Sequence, residues 1–305
     1  MNRGMVTITV GTTSLMPRVL RDLNERIFVG ASQGDAMGND AGGYDSPAFV
    51  AEYYDLVPAY AGRADTDFYV AAAEREQGPV LELGCGTGRL LIPIARTGIP
   101  ITGIDVSSGM LARCREKLQR EEPAVRHRAT TLQFDMTDFS LAQPFALVLA
   151  PFRCFQHALD VQRQISCLRN VHRNLAPGGM LILDVFQVHT ARTHDPKYLQ
   201  EEAEFSGLRL PDGRTLGRSS RIAAFHRAEQ INDVELIYHV RHADGHEERL
   251  VHAFPMRYYF RYELEHLLAR CGFAISALYG DYDGSALRDD SPEMIFVAKK
   301  IEPAA

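Results

Sequence analysis

Apolar residues recur along this chain with two different periods, and the points where the period changes mark its elements. Short, mostly apolar runs at 80–83, 100–105, 145–150 and 180–186 read as strands buried on both faces. Thr-Leu-Gln-Phe-Asp at 131–135 is a weaker strand of the same series. Between the runs, apolar positions move to helical spacing, near 64–77, 88–97 and 107–120. Val161, Ile165, Leu168 and Leu175 share one further helical face, which Pro177-Gly178-Gly179 should terminate. An earlier helix begins after Tyr44, with Ser46 as its N-cap and Pro47 at its first position.

Strand and helix alternating in this way predict a mostly parallel, seven-stranded sheet wrapped by helices on both faces, a Rossmann-like α/β fold. The rhythm breaks at 187–257, where Val234, Leu236, Tyr238 and Val240 alternate with other positions, as do Leu250, His252, Phe254 and Met256. Asp-Gly turns stand at 212–213 and 244–245. This is an antiparallel insertion of three or four strands. A helix at 261–271 and strands near 273–279 and 293–299 resume the α/β pattern. Residues 1–43 carry little periodicity and read as a loosely attached arm. The expected organisation is an arm (1–43), a main domain (44–186 with 258–305) and an insertion (187–257), the last covering a substrate site or forming an oligomer contact.

Composition changes this picture only by exclusion. At 305 residues, 46% hydrophobic and 24% charged, the chain is globular, and its net charge of −6 gives no electrostatic reason to hold nucleic acid. No apolar run is long enough to span a membrane, and the start lacks a signal-peptide core, so a protein without membrane attachment is expected. Five scattered cysteines suit a reducing cytoplasm rather than a disulfide framework. His239, His242 and His246 straddle a turn among carboxylates and read as a solvated surface, so no metal is expected.

The chemistry is concentrated where the first strand ends, in Glu82-Leu83-Gly84-Cys85-Gly86-Thr87-Gly88-Arg89. Glycines at alternate positions allow a tight turn and a close ligand approach. Asp105, at the tip of the next strand, is placed to accept from the two hydroxyls of a ribose. Gly-x-Gly-x-Gly is tighter than the spacing that lays a dinucleotide's pyrophosphate on a helix end, which argues against an oxidoreductase. Together the glycine motif and Gly103-Ile104-Asp105 resemble the class I S-adenosylmethionine-dependent methyltransferases, over roughly residues 44–300.

The resemblance implies that Glu82, Gly84 and Gly86 hold the methionine part of the cofactor and that Asp105 holds its ribose. Asp135 would hold the adenine amino group, flanked by Met110 and Met136, and Arg89 would pair with the methionine carboxylate. Tyr54, Val106 and Pro151 would complete the cofactor site. The acceptor would sit over 151–157, with Phe155 as an aromatic wall, His157 as a proton acceptor, and Arg153 and Gln156 as polar anchors. The layout is similar to the sugar and lincosamide N-methyltransferases, which implies methylation of a small molecule, with nitrogen ahead of oxygen and S-adenosylhomocysteine as product. An O-methyltransferase and a non-catalytic cofactor-binding sensor stay open, as does a homo-oligomer built through the insertion or the arm.

Overall fold

The computed structural model describes residues 47–60 and 63–301. The N-terminal arm and the expected Ser46 cap lie outside the described residues. The described residues begin with α1 (Ala48–Tyr53), a 3-10 turn over Tyr54–Leu56, and α2 (Asp65–Glu76). Then follow β1 (Val80–Leu83), α3 (Leu91–Arg96), β2 (Ile101–Asp105), α4 (Ser108–Gln119), the short α5 (Pro123–Arg126) and β3 (Ala129–Gln133). Next are β4 (Phe145–Ala150), a 3-10 turn over Cys154–His157, α6 (Val161–Asn174) and β5 (Leu175–Phe186).

Four long strands come next: β6 (Glu202–Arg209), β7 (Thr215–His226), β8 (Ile231–Arg241) and β9 (Glu247–Arg257). The chain closes with α7 (Arg261–Arg270), β10 (Phe273–Tyr279) and β11 (Glu293–Lys300).

The main sheet has the order β10-β11-β5-β4-β1-β2-β3, and only β11 runs against its neighbours. Strand order therefore reverses between β1 and β4, and in open α/β sheets that reversal opens a crevice at the strands' carboxyl ends. Two apolar layers fill the two faces. On one, Leu81, Leu83, Val148 and Leu183 meet Ile165 and Leu168 of α6 and Leu264 and Leu268 of α7. On the other, Val80, Leu147, Leu149 and Ile182 meet Tyr69 of α2, Leu91 and Ile94 of α3, and Leu111 of α4. Each such fully buried aliphatic side chain contributes about 1.5–3 kcal/mol. That makes the strand tips rigid mounts for whatever they carry.

Two helix starts follow the capping rule. Ser107 Oγ accepts from the Met110 amide at the head of α4, and Asp160 from the Arg163 amide at the head of α6. The end of α6 departs from expectation. The helix stops at Asn174, and Pro177-Gly178-Gly179 lies inside β5 as a bulge, the pairing jumping from Phe145–Leu175 to Leu147–Met180. Gly179 fits there because a side chain would come within 3.1 Å of the Ala146 carbonyl oxygen. β3 spans 129–133 rather than 131–135, so Asp135 falls just beyond the strand.

The insertion forms its own antiparallel sheet, β6-β7-β8-β9. One face of it packs on α1 and the turn that follows, where Leu216, Tyr238 and Val240 bury Tyr53 and Val57. Among the described residues no helix is long and apolar enough to cross a membrane, and no His, Cys, Asp or Glu cluster is arranged to hold a metal ion.

Candidate active site

The crevice at the strand reversal is a cleft of about 920 Å³, solvent mouth included. Its donor side is the turn after β1. Gly84 and Gly86 sit at φ +64° and +52°, and the Gly86 amide donates to Asp105 Oδ2 at 2.8 Å. A Cβ at Gly84 would lie 3.0 Å from the Cys154 Cβ, so the turn is pressed against the segment that follows β4. Asp105 Oδ1 accepts from the Ser107 amide at 2.9 Å, which fixes both carboxylate oxygens at the mouth of the cleft.

Three acidic residues from neighbouring strand ends line this side: Glu82, Asp105 and Asp135. Glu82 is 2% exposed and its Oε2 has no partner among the described residues. Burial raises its pKa to about 8; Arg89 pulls the other way and Asp105 adds to the rise. Asp135 is pushed up by burial, but the Thr137 amide and hydroxyl and the Arg163 guanidinium outweigh this and leave it below the usual carboxylate range. Those bonds are 2.7, 2.8 and 2.9 Å long.

The cleft brings together all of the expected cofactor residues: Tyr54, Glu82, Gly84, Gly86, Arg89, Asp105, Val106, Met110, Asp135, Met136 and Pro151. Arg89, expected to pair with the cofactor's carboxylate, also has an anion within the protein. Both terminal nitrogens of Arg89 grip the buried Asp65, at 2.6 and 2.9 Å, so its charge is already matched by the protein. Tyr54 is held over the glycine turn because the next residue, Asp55, accepts from Thr87 Oγ1 at 2.6 Å and from Lys117 Nζ at 3.0 Å. Burial, then Tyr60, raise the Tyr54 pKa, so its hydroxyl keeps its proton.

The acceptor side differs from expectation at three of four positions. His157 lines the cleft. Phe155 does not: it is fully buried and stacked on Tyr259 at 5.5 Å, because a one-turn 3-10 segment directs it into the core. Gln156 is also fully buried. Its Nε2 donates to the Arg257 carbonyl at 2.5 Å and its Oε1 accepts from the Phe186 amide at 3.2 Å, so it ties this turn to β9 and β5. Arg153 points away, to Glu293 at 2.6 Å. The aromatic wall is Phe152, which has the ring of Tyr60 edge-on at 5.2 Å and the guanidinium of Arg63 over its face at 4.6 Å.

Burial, and secondarily His252, lower the His157 pKa to about 4, which keeps the imidazole neutral at neutral pH. Its ring packs on Phe254 of β9 at 5.6 Å, so the insertion reaches the cleft at this point.

Cys85, Thr87, Phe134, Phe152, Cys154 and Arg163 also line the cleft and escaped the sequence reading. Thr87 and Phe152 lay inside the very motifs examined. Arg163 had no legible signal, since its partner Asp135 is 28 residues away.

A family described as a methyltransferase domain matches residues 80–179, the stretch from β1 through α6 into β5. The chain is 25% identical to the putative methyltransferase YqeM of Bacillus subtilis (strain 168) over 254 residues, 82% of this chain and 95% of that one. It is 26% identical to the cypemycin N-terminal methyltransferase of Streptomyces sp over 265 residues, 86% and 99% of the two chains. In three dimensions it is similar to the CcbJ methyltransferase from Streptomyces caelestis, with a TM-score of 0.67 at 23% identity, covering 86% of this chain and all of that one. All the residues that line the cleft except Tyr54 lie within the stretch that matches the methyltransferase domain.

Proposed function

We propose that this methyltransferase transfers the methyl group of S-adenosylmethionine to an amine nitrogen of a small acceptor. One observation carries the reading. A single cleft joins a left-handed glycine turn and three strand-end carboxylates to a wall made of Phe152 and a neutral His157.

The residues fit the cofactor. Glu82 Oε2 is a buried acceptor without a partner among the described residues, as a cationic ligand requires, and Gly84 and Gly86 line the cleft with bare main chain. Asp105 would hold the ribose hydroxyls, Asp135 the adenine amino group between Met110 and Met136, and Glu82 the cationic methionine end. S-adenosylmethionine supplies an electrophilic methyl on a sulfonium sulfur, and transfer to a nitrogen lone pair breaks the carbon–sulfur bond and leaves S-adenosylhomocysteine. The chain's part is to align and to keep water out, which can supply most of the rate.

Phe152 and Tyr54 would exclude water from the methyl, and His157 would accept a hydrogen bond from the acceptor's N–H and turn its lone pair toward the carbon. With a pKa of about 4, His157 is a weak base, so orientation is its main service and the released proton passes on to solvent. Residues 44–186 with 258–305 would form the catalytic domain, and 187–257 would cover the acceptor through Phe254 and its neighbours. The name of the cypemycin enzyme, an N-terminal methyltransferase, supports an amine.

The test is to incubate the protein with S-adenosylmethionine and a panel of small amines, hydroxyl compounds and thiols, and to follow methyl gain by mass spectrometry. Methylated amines are expected. Methylation confined to hydroxyl compounds would move the assignment to oxygen, and cofactor binding without any methylated product would leave a sensor.

A further inference from the structure

Behind the acceptor wall lies a buried carboxylate that the reaction as outlined does not use. Asp184, near the end of β5, has no exposed surface. It is met by four hydrogen-bond donors from three other parts of the chain. The Phe152 amide donates to Oδ2 at 2.8 Å and the Arg153 amide to Oδ1 at 2.7 Å. The hydroxyls of Tyr69 in α2 and of Tyr282 in the loop before β11 donate to Oδ2 at 2.5 and 3.0 Å. Burial, reinforced by Asp184, raises the pKa of both tyrosines, so both hydroxyls keep the proton they donate.

The two amides belong to a turn that would not form unaided. Phe152 and Arg153 have φ of +52° and +66°, two consecutive left-handed residues with side chains where glycine would be the ordinary choice. That conformation aims both amides at one carboxylate and directs the Phe152 ring into the cleft, while Arg153 turns the other way to Glu293. With the backbone in its ordinary right-handed or extended form, the two amides would part and the ring would leave the wall. The tyrosines in turn hold the carboxylate to α2 and to the loop before β11, so its position does not depend on the turn it holds.

We propose that Asp184 is a positioning residue for methyl transfer: it clamps the left-handed turn 152–153 and thereby holds Phe152 against the reacting methyl. The inference rests on the methyltransferase reading above. An amide of the same shape cannot replace the carboxylate, because all four partners are donors and one oxygen would become a fifth.

Two measurements test it. In Asp184→Asn, kcat should fall roughly tenfold to a hundredfold, as expected for a misplaced reacting wall, while cofactor affinity changes less than about threefold. A kcat that is unchanged, or that falls only in parallel with cofactor affinity, would overturn the proposal.

The second needs no acceptor and so stands even if no methylated product is found. The chain has no tryptophan, so Phe152→Trp installs a single fluorescent reporter on the turn. Adding Asp184→Asn should shift its emission to the red and lower its anisotropy. Tyr282→Phe, which deletes one peripheral hydroxyl and leaves the fold in place, should move both the same way by less. Unchanged emission in both backgrounds would refute the clamp, whatever the acceptor proves to be.

Discussion

The two halves of the cleft solve different problems. The donor half is polar and fixed by the backbone: Asp105 is tied to the Gly86 and Ser107 amides, Asp135 to Thr137 and Arg163, and Asp55 latches Tyr54 over the glycine turn. The acceptor half is aromatic and carries no carboxylate, with Phe152, a neutral His157 and Phe254 behind it. Charge recognises an unchanging charged ligand, whereas an apolar wall gives shape and dryness to a reaction whose acceptor differs among enzymes of this kind. Substitutions should therefore separate: donor-half changes act on cofactor affinity, and acceptor-half changes act on turnover.

The largest effect should come from Asp105→Ala. It removes two candidate charge-assisted bonds to ribose and frees the Gly86 and Ser107 amides, and the expected loss of cofactor affinity is about 1–3 kcal/mol. Titration calorimetry with S-adenosylhomocysteine measures it. If affinity held while turnover collapsed, the division between the halves would be wrong at its best-defined residue.

His157→Gln should do the reverse, lowering kcat roughly tenfold with cofactor affinity unchanged. Because burial holds its pKa near 4, His157 stays neutral as pH falls through the ordinary histidine range. The wild-type kcat profile should accordingly stay flat through pH 6.5 and fall only toward pH 4, where the ring takes up a proton and loses its lone pair. A break near 6.5 that disappears in the variant would mean an ordinary, solvated histidine.

The same division explains what could be read from the sequence. The donor half is written in contiguous motifs, since a strand, a glycine turn and the next strand tip lie within 26 residues, from Val80 to Asp105. Parallel strands order these elements in space as they are ordered in the chain. The acceptor half is assembled from the turn after β4, one strand of the insertion and the first helices. Its decisive contacts, such as Phe152 with Asp184 and His157 with Phe254, join residues roughly 30 and 100 positions apart.

Within 151–157 the residue types pointed to the right place, but a 3-10 turn entered through two left-handed residues chose which side chains faced in. Sequence periodicity does not register either feature, and so Phe155 was expected where Phe152 stands. The internal partner of Arg89 escaped for a related reason: Asp65 lies 24 positions away, in a helix whose packing no local pattern announces.

The smallest predicted effect is also the sharpest test of the donor half's electrostatics. Glu82, buried beside Asp105, has its folded pKa raised to about 8 from 4.5. Between those values the folded protein holds a proton that the unfolded chain gives up. The group's contribution to stability is thus complete below pH 4.5 and is lost as pH rises through 8. His157 acts in the opposite sense, its contribution being present above 6.5 and lost as pH falls toward 4, so the two separate cleanly above pH 7.

From pH 7 to 9 the ligand-free protein should lose about 1 kcal/mol in denaturant titrations through this one carboxyl. Glu82→Gln should flatten that slope, and His157→Gln should leave it intact. A cationic cofactor beside Glu82 favours its ionised form, so cofactor affinity should rise over the same interval, with proton release detectable by calorimetry in buffers of different ionisation enthalpy. A flat affinity profile would place the cofactor's positive charge away from Glu82, and would leave Asp105 and Asp135 as the only strand-end carboxylates reading the donor.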